Sequence, residues 1–425
     1  MPLNRTDGHL NDVDIAVIGA GAAGLAAGLR LANSPLSFRI LEARPRSGGR
    51  AVTDHSSFYP LDYGCGWLHS ADRNAWHDLA KAAGFTIDQT LPAWGEQSFN
   101  LGFSQEDQEA FAKASERFNK RIFETANTTR DQSAAFLFEP ADRWNPLIDA
   151  VSTFMSGAEL EHISVVDLSR YADSEINWRI REGYGTAITT IGAGLPVTFN
   201  CRVKEIDHSG PRLRIVSSEG TLTARAVIVT LPPPLLLSGA LQFRPDLPRK
   251  REAAAGLPLG IANKLFIRLD QAEDMPADGH LFGRIDRVQT ASYHLRPFGR
   301  PLIEAYFGGA LARDLEAAGP AAFFDFACGE LALLFGEAIR PRLHFVAATG
   351  WAQDPFCLGS YSYARPGHAG ARQKLAESVD DRLFFAGEAC SPHYFSTAHG
   401  AYETGIAAAD AALGALLTRR TGKAS

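Results

Sequence analysis

A chain of 425 residues with 45% hydrophobic, 21% charged and 10% aromatic residues has the composition of a folded enzyme, which excludes a disordered or fibrous protein. At roughly 100–200 residues per domain, the length predicts two or three domains. Forty-two basic against 48 acidic residues leave a net charge of −6, and no block of like charges interrupts the mixture, so a nucleic-acid surface is not expected.

The first 12 residues, Met1 to Asp12, are polar and lack the basic and apolar regions of a signal peptide. Asp14-Ile-Ala-Val-Ile18 reads as a buried strand, Ala22–Leu31 as an alanine-rich helix, and Ser37–Leu41 as a second strand. This is a βαβ opening. Between strand and helix lies Gly19-Ala-Gly21-Ala-Ala23-Gly24, a turn that lets a pyrophosphate approach backbone N–H groups at a helix N-terminus. Glu42 follows Gly19 by 23 residues (42 − 19), where a carboxylate suits the ribose hydroxyls of an adenosine. These features predict a dinucleotide without separating NAD from FAD. Two more glycines and flanking arginines, in Arg44-Pro-Arg46-Ser-Gly48-Gly49-Arg50, suit a second approach to phosphate.

Gln105 to Arg130 reads as a helix presenting Phe111, Phe118 and Ile122 on one face. Short strands follow at Val197-Thr-Phe199, Arg202–Ile206, Leu213–Val216 and Ala226–Val229, ended by Pro232-Pro-Pro234. Lys264 sits in the alternating strand Ala262–Asp270, with Leu265, Ile267 and Leu269 on one face; pattern alone points the lysine to solvent. A helix is expected around Ala321–Ile339. Near the end, Ser396-Thr397-Ala398-His399-Gly400 opens a last helix whose N–H groups and positive end would favour negative charge developing on a ligand. Its apolar part, Gly405–Leu417, is 13 residues long and carries Asp410, short of the roughly 20 needed to cross a bilayer. The five cysteines, Cys65, Cys201, Cys328, Cys357 and Cys390, form no Cys-x-x-Cys pair. No metal site is expected, and a reducing, cytoplasmic setting is.

From Glu42 through Gly48-Gly49-Arg50 the sequence resembles the flavin-dependent amine oxidase family, and the likeness extends over most of the chain. It continues in Asp62-Tyr-Gly64-Cys-Gly66-Trp67-Leu-His69, Gly183-Tyr-Gly185, Arg202-Val203-Lys-Glu-Ile206, the Trp351, Asp354-Pro355, Gly359, Tyr361 run, and Phe385-Ala-Gly387-Glu388. The resemblance implies a Rossmann-like, two-dinucleotide-binding-domain α/β flavoprotein. Its FAD-binding domain, residues 1–75, 183–252 and 353–425, would be interleaved with an α+β substrate-binding domain of 76–182 and 253–352.

It also implies cofactor contacts at Gly19, Gly21, Ala23, Gly24, Glu42, Arg44, Gly49, Arg50, Gly66, Trp67, Val203, Trp351, Gly387, Glu388, Thr397 and Ala398, with Val203 meeting the adenine through its main chain. Lys264 would reach flavin N5 through a water, reversing the solvent reading. A lone histidine is commonly structural, yet His69 matches the position that approaches the substrate nitrogen in animal-type polyamine and spermine oxidases. Tyr361 and Trp67 would wall the pocket. Ser360 stands where monoamine oxidases carry their flavin-linking cysteine, so FAD is expected non-covalently. Thr397 replaces the second tyrosine of the aromatic cage, leaving another aromatic such as Tyr363 or Trp178 to complete it.

The expected reaction is oxidation of a primary or secondary amine, a polyamine among the options, to an imine with O2 reduced to hydrogen peroxide. An L-amino acid oxidase, which needs an arginine for the substrate carboxylate, a related flavin desaturase and a non-catalytic flavin-binding scaffold are the alternatives. No membrane partner is expected, and a homodimer is compatible with the sequence.

Overall fold

The computed structural model describes residues 10–126 and 130–421, with side chains to 417. Ile15–Ile18 is the centre of a five-stranded parallel sheet in the order Leu383–Phe385, Ala226–Val229, Ile15–Ile18, Phe38–Leu41, Val197–Thr198. Val17 pairs with Ile228 on one side and Ile40 on the other. All four residues of the central strand are buried, because a parallel sheet covered on both faces demands continuous apolar strands rather than alternation. One face carries the helices Ala22–Leu31 and Ala398–Thr421. They cross closely: a Cβ on Gly405 would lie 2.2 Å from the Ala23 carbonyl oxygen. Residues of a four-stranded sheet, order Gly220–Ala224, Leu213–Ser217, Val203–Asp207, Gln242–Arg244, share a core with the opposite face.

A second, antiparallel sheet has the order Gly279–Phe282, Ser292–Leu295, Leu302–Gly308, Ala262–Leu269, Leu343–Ala348. Where the sequence predicts one helix over Ala321–Ile339, the structure has Gly309–Ala318 and Pro320–Phe335, followed by a 3₁₀ segment, Glu337–Arg342. Gly319 (φ +100°) and Gly336 (φ +84°) break the path in conformations that side chains other than glycine's rarely adopt. The helix predicted from Gln105 is described to Ala126; residues 127–129 lie outside the described residues. Its Phe118 and Ile122 are buried and Phe111 packs against the same core. A buried ion pair ties this middle region to the C-terminal segment: Arg372 grips both oxygens of Asp167 at 2.8 Å. Among the described residues, no helix is long and apolar enough to cross a membrane.

Candidate active site

The glycine turn works as two separate devices. Gly19 adopts φ +101°, and a Cβ on Gly24 would sit 1.9 Å from the Gly19 carbonyl oxygen, so Gly24 allows the helix to pack and does not itself line the cavity beyond. Gly21 instead bridges to Gly48, and a Cβ on Gly49 (φ +58°) would come within 3.1 Å of the Gly21 Cα. Two stretches of main chain thus converge with no side chain between them. Glu42, buried at the end of its strand, is held by the N–H groups of Ala20 (2.7 Å) and Arg44 (2.9 Å).

From this cradle a cavity of about 730 Å³ runs into the molecule. Gly19, Gly21, Ala23, Glu42, Arg44, Gly49, Arg50 and Val203 line it, as do Trp351, Gly387, Glu388, Thr397 and Ala398. Gly66, Trp67, His69, Lys264 and Tyr361 line it as well. The arginines are already matched in charge: Arg44 pairs with Asp354 at 2.5 Å, and Arg50 with Glu388 at 3.0 Å. Although burial pushes the Glu388 carboxyl up, Arg50 and the Ser362 hydroxyl hold it below the usual range. Thr397 caps the last helix, accepting the Gly400 N–H at 3.0 Å and donating to the Tyr394 carbonyl at 2.6 Å. The glycine cradle, the carboxylate beyond the second strand and the capped helix start fit FAD. Ser360 has its hydroxyl occupied by both main-chain groups of Ala262, at 2.8 and 2.9 Å.

Lys264 is buried, which overturns the solvent reading from strand pattern alone. Leu265, Ile267 and Leu269 face one core as predicted, but Lys264 and Phe266 are covered too, and only Arg268 reaches water. The lysine Nζ donates to the Asp62 carbonyl at 2.8 Å and pairs with Glu304 at 2.8 Å. Gly66 leaves room for it; a Cβ there would lie 3.2 Å from Nζ.

His69 points Nδ1 at Asn177 Oδ1, 2.7 Å away. An amide oxygen only accepts, so the proton sits on Nδ1 and Nε2 carries the lone pair. Burial lowers the ring's pKa below the usual histidine value, with the Asn177 bond and Asp173 acting in the other direction. Trp67 meets Trp94 edge to face at 4.8 Å, and the Tyr361 hydroxyl donates to the Phe154 carbonyl. Tyr363 and Trp178 do not line the cavity. Trp178 packs on His77 at 5.0 Å, and its place in the wall is taken by Trp94, Phe154 and Phe395.

Sequence reasoning also missed Glu304 and Tyr306, Asn177, and the exposed carboxylates Asp173 and Glu175 that line the cavity. The one signal available for the first two was a pair of polar residues two apart in the apolar strand Leu302–Gly308.

Residues 101–413 match the family model of flavin-containing amine oxidoreductases, and residues 17–82 match that of an NAD(P)-binding Rossmann-like domain. The chain is 29% identical to a probable polyamine oxidase 4 of Arabidopsis thaliana, over 93% of this chain and 86% of that one. It is 29% identical to polyamine oxidase 3 of Oryza sativa subsp. japonica, over 93% and 88%. Wild-type putrescine oxidase bound to putrescine superposes with a TM-score of 0.76 at 17% identity, covering 96% of this chain and all of that one, a likeness of fold. A match spanning most of the chain, joined to the glycine cradle and the cavity it opens, places this protein in the flavin-containing amine oxidoreductase family.

Proposed function

We propose that the protein is an FAD-dependent oxidase of an aliphatic diamine or polyamine, using O2 as acceptor in the cytoplasm. Bound FAD supplies the redox chemistry, accepting a hydride from the carbon next to nitrogen and returning two electrons to oxygen as hydrogen peroxide. The chain's own residues must present the amine in its neutral form, since a protonated nitrogen has no lone pair to assist the hydride's departure. An alkylammonium of pKa about 10.4 costs roughly 4–5 kcal/mol to deprotonate at pH 7. Trp67, Trp94 and Tyr361 offer an aromatic wall that desolvates the cation, and the His69 Nε2 lone pair can orient or accept its proton.

The observation that carries the polyamine reading is the charge pattern of the cavity. Asp173, which acts on His69, and Glu175 line it and suit a second ammonium. The lining arginines among the described residues are Arg44, Arg50 and Arg202, and the first two are committed to Asp354 and Glu388. Arg179 stacks on Trp67 at 4.8 Å, but it is paired with Asp278 at 2.8 Å and does not line the cavity, which disfavours a substrate carboxylate. The names of the relatives agree with this choice. All five cysteines are free thiols, in keeping with a reducing compartment, and the occupied Ser360 hydroxyl agrees with non-covalent FAD.

The test is a panel of putrescine, spermidine, spermine, benzylamine and amino acids, read by peroxide release and anaerobic bleaching of the holoenzyme. A di- or polyamine should be preferred. Asp173→Asn with Glu175→Gln should raise KM for that amine by at least tenfold and leave benzylamine little changed. If dithionite bleaches the flavin and no amine does, the protein is a flavin-binding scaffold instead. Acid denaturation should release intact FAD.

A further inference from the structure

The second sheet puts three polar side chains on one covered patch. Lys264 lies directly opposite Tyr306, and Glu304 lies opposite Phe266, two residues along. Glu304 Oε1 therefore reaches the lysine Nζ at 2.8 Å while accepting the Tyr306 hydroxyl at 2.9 Å, and Nζ lies 5.0 Å from the Tyr306 ring centroid. The side chains of Lys264 and Glu304 are 7% and 14% exposed. A chamber of about 30 Å³, the size of one water, is lined by Glu304 and Tyr306 together with Asp62, Trp67 and Arg300. Glu304 thus stands between the lysine and a small polar space on the far side.

We propose that Glu304, braced by Tyr306, is a positioning residue that keeps Lys264 an ammonium ion and fixes its aim into the cofactor cavity. The inference rests on the reading above that Lys264 serves the flavin. A lysine this deeply buried would ordinarily lose its proton, because desolvation disfavours the charged form. Here the balance runs the other way. Burial lowers the lysine, but Glu304, Tyr306 and Asp62 together raise it above its ordinary value, and Lys264 in turn outweighs burial to hold Glu304 below the carboxylate range. Among the described residues, the other titratable or charged groups around the pair are Cys65 and Tyr361 near Lys264, His294 near Glu304, and Arg179, Arg181 and Arg300, which line the small chamber with Glu304. Burial raises both Cys65 and Tyr361, which keeps them neutral at pH 7. The Asp62 carboxylate is turned to Thr53 and to the N–H groups of Tyr184 and Gly185, and only its carbonyl meets Nζ. Among the described residues, Glu304 is therefore the one carboxylate bonded to the ammonium.

Lys264 then acts as a fixed charge and not as a base. With FAD bound, the oxygen half-reaction would pass two electrons and two protons from the reduced cofactor to O2, giving hydrogen peroxide. The lysine is neither consumed nor deprotonated, and its charge favours electron density arriving on oxygen.

The experiment measures the flavin midpoint potential of the holoenzyme against pH, alongside the rate of reoxidation by O2. In the unaltered protein Lys264 should stay charged from pH 6 to 10 and add no inflection. Glu304→Gln should introduce one in that range, with reoxidation falling at least tenfold above it. Glu304→Asp should move the inflection back toward high pH, and Lys264→Met with Glu304→Gln should abolish it. Tyr306→Phe, which removes only the brace, should shift the lysine in the same direction by less, and it serves if Glu304→Gln does not fold. If Lys264→Met changes potential and reoxidation while neither Glu304→Gln nor Tyr306→Phe adds an inflection, the role of Glu304 is refuted. If Lys264→Met itself changes nothing, the fault lies in the placement of Lys264.

Discussion

Replacing Asn177 by aspartate would test whether His69 is the group that meets the substrate nitrogen. Asn177 is 4% exposed and its Oδ1 lies 2.7 Å from His69 Nδ1, so the change sets a negative charge against the imidazole without altering shape. Two unit charges 4 Å apart interact by about 4 kcal/mol at an effective dielectric near 20. That corresponds to roughly three pH units at about 1.36 kcal/mol each. Burial of the new carboxylate takes back part of this, leaving an expected rise of about one to three units. His69 lies below its ordinary value of 6.5 in the parent protein, and the variant histidine should titrate higher than the parent's by that amount. The assay is anaerobic stopped-flow reduction of the flavin by one amine across the pH range. Below its pKa, His69 is cationic and repels the ammonium, so reduction falls on the acid side. Asn177→Asp should carry that acid limb upward by one to three units, and Asn177→Ala should not. Coincident limbs in parent and Asn177→Asp would refute the assignment of His69.

Two further outcomes follow from groups outside that pair. His280 and His399 are buried with pKa values lowered to about 4, burial being the largest cause in each. Above pH 6.5 both are neutral folded or unfolded. As pH falls toward 4 only the unfolded chain takes up these protons, so stability is lost in that window, by about 3 kcal/mol for each histidine at its lower end. Denaturant midpoints at pH 8, 6 and 4.5 should show the loss and His280→Gln should reduce it; an unchanged slope in that variant would exclude His280. Gly49→Ala places a methyl 3.1 Å from the Gly21 Cα in a left-handed conformation (φ +58°). It should weaken FAD binding at least tenfold by titration of the apoprotein, while the apoprotein itself loses only about 1 kcal/mol of stability.

What could be read from sequence was what is local in sequence. The turn Gly19 to Gly24, the strand after it and Glu42 lie within one βαβ unit, so spacing alone implies their geometry. Lys264 was different. Its burial is tolerated because Glu304, 40 residues later, arrives beside it through strand register, and no periodicity within Ala262–Asp270 reports a partner on another strand. His69 and Asn177 are separated by 108 positions. The misplacement of Trp178 has the same origin: it follows Asn177 directly, and of these two neighbours only Asn177 lines the cavity. The resemblance supplied Lys264 and His69 but not the residues that orient them, since these are found by packing and not by motif.

The strand order of the parallel sheet has a consequence for biosynthesis. The central strand Ile15–Ile18 emerges first from the ribosome, yet one of its direct neighbours is Ala226–Val229 and the edge strand beyond is Leu383–Phe385. The parallel sheet therefore waits for translation to reach Phe385, with the apolar residues of its first strand unpaired on one side meanwhile. Such delayed, long-range pairing makes for slow maturation and a nascent chain prone to aggregate, and messages cut short of Phe385 would yield protein unable to mature into a holoenzyme.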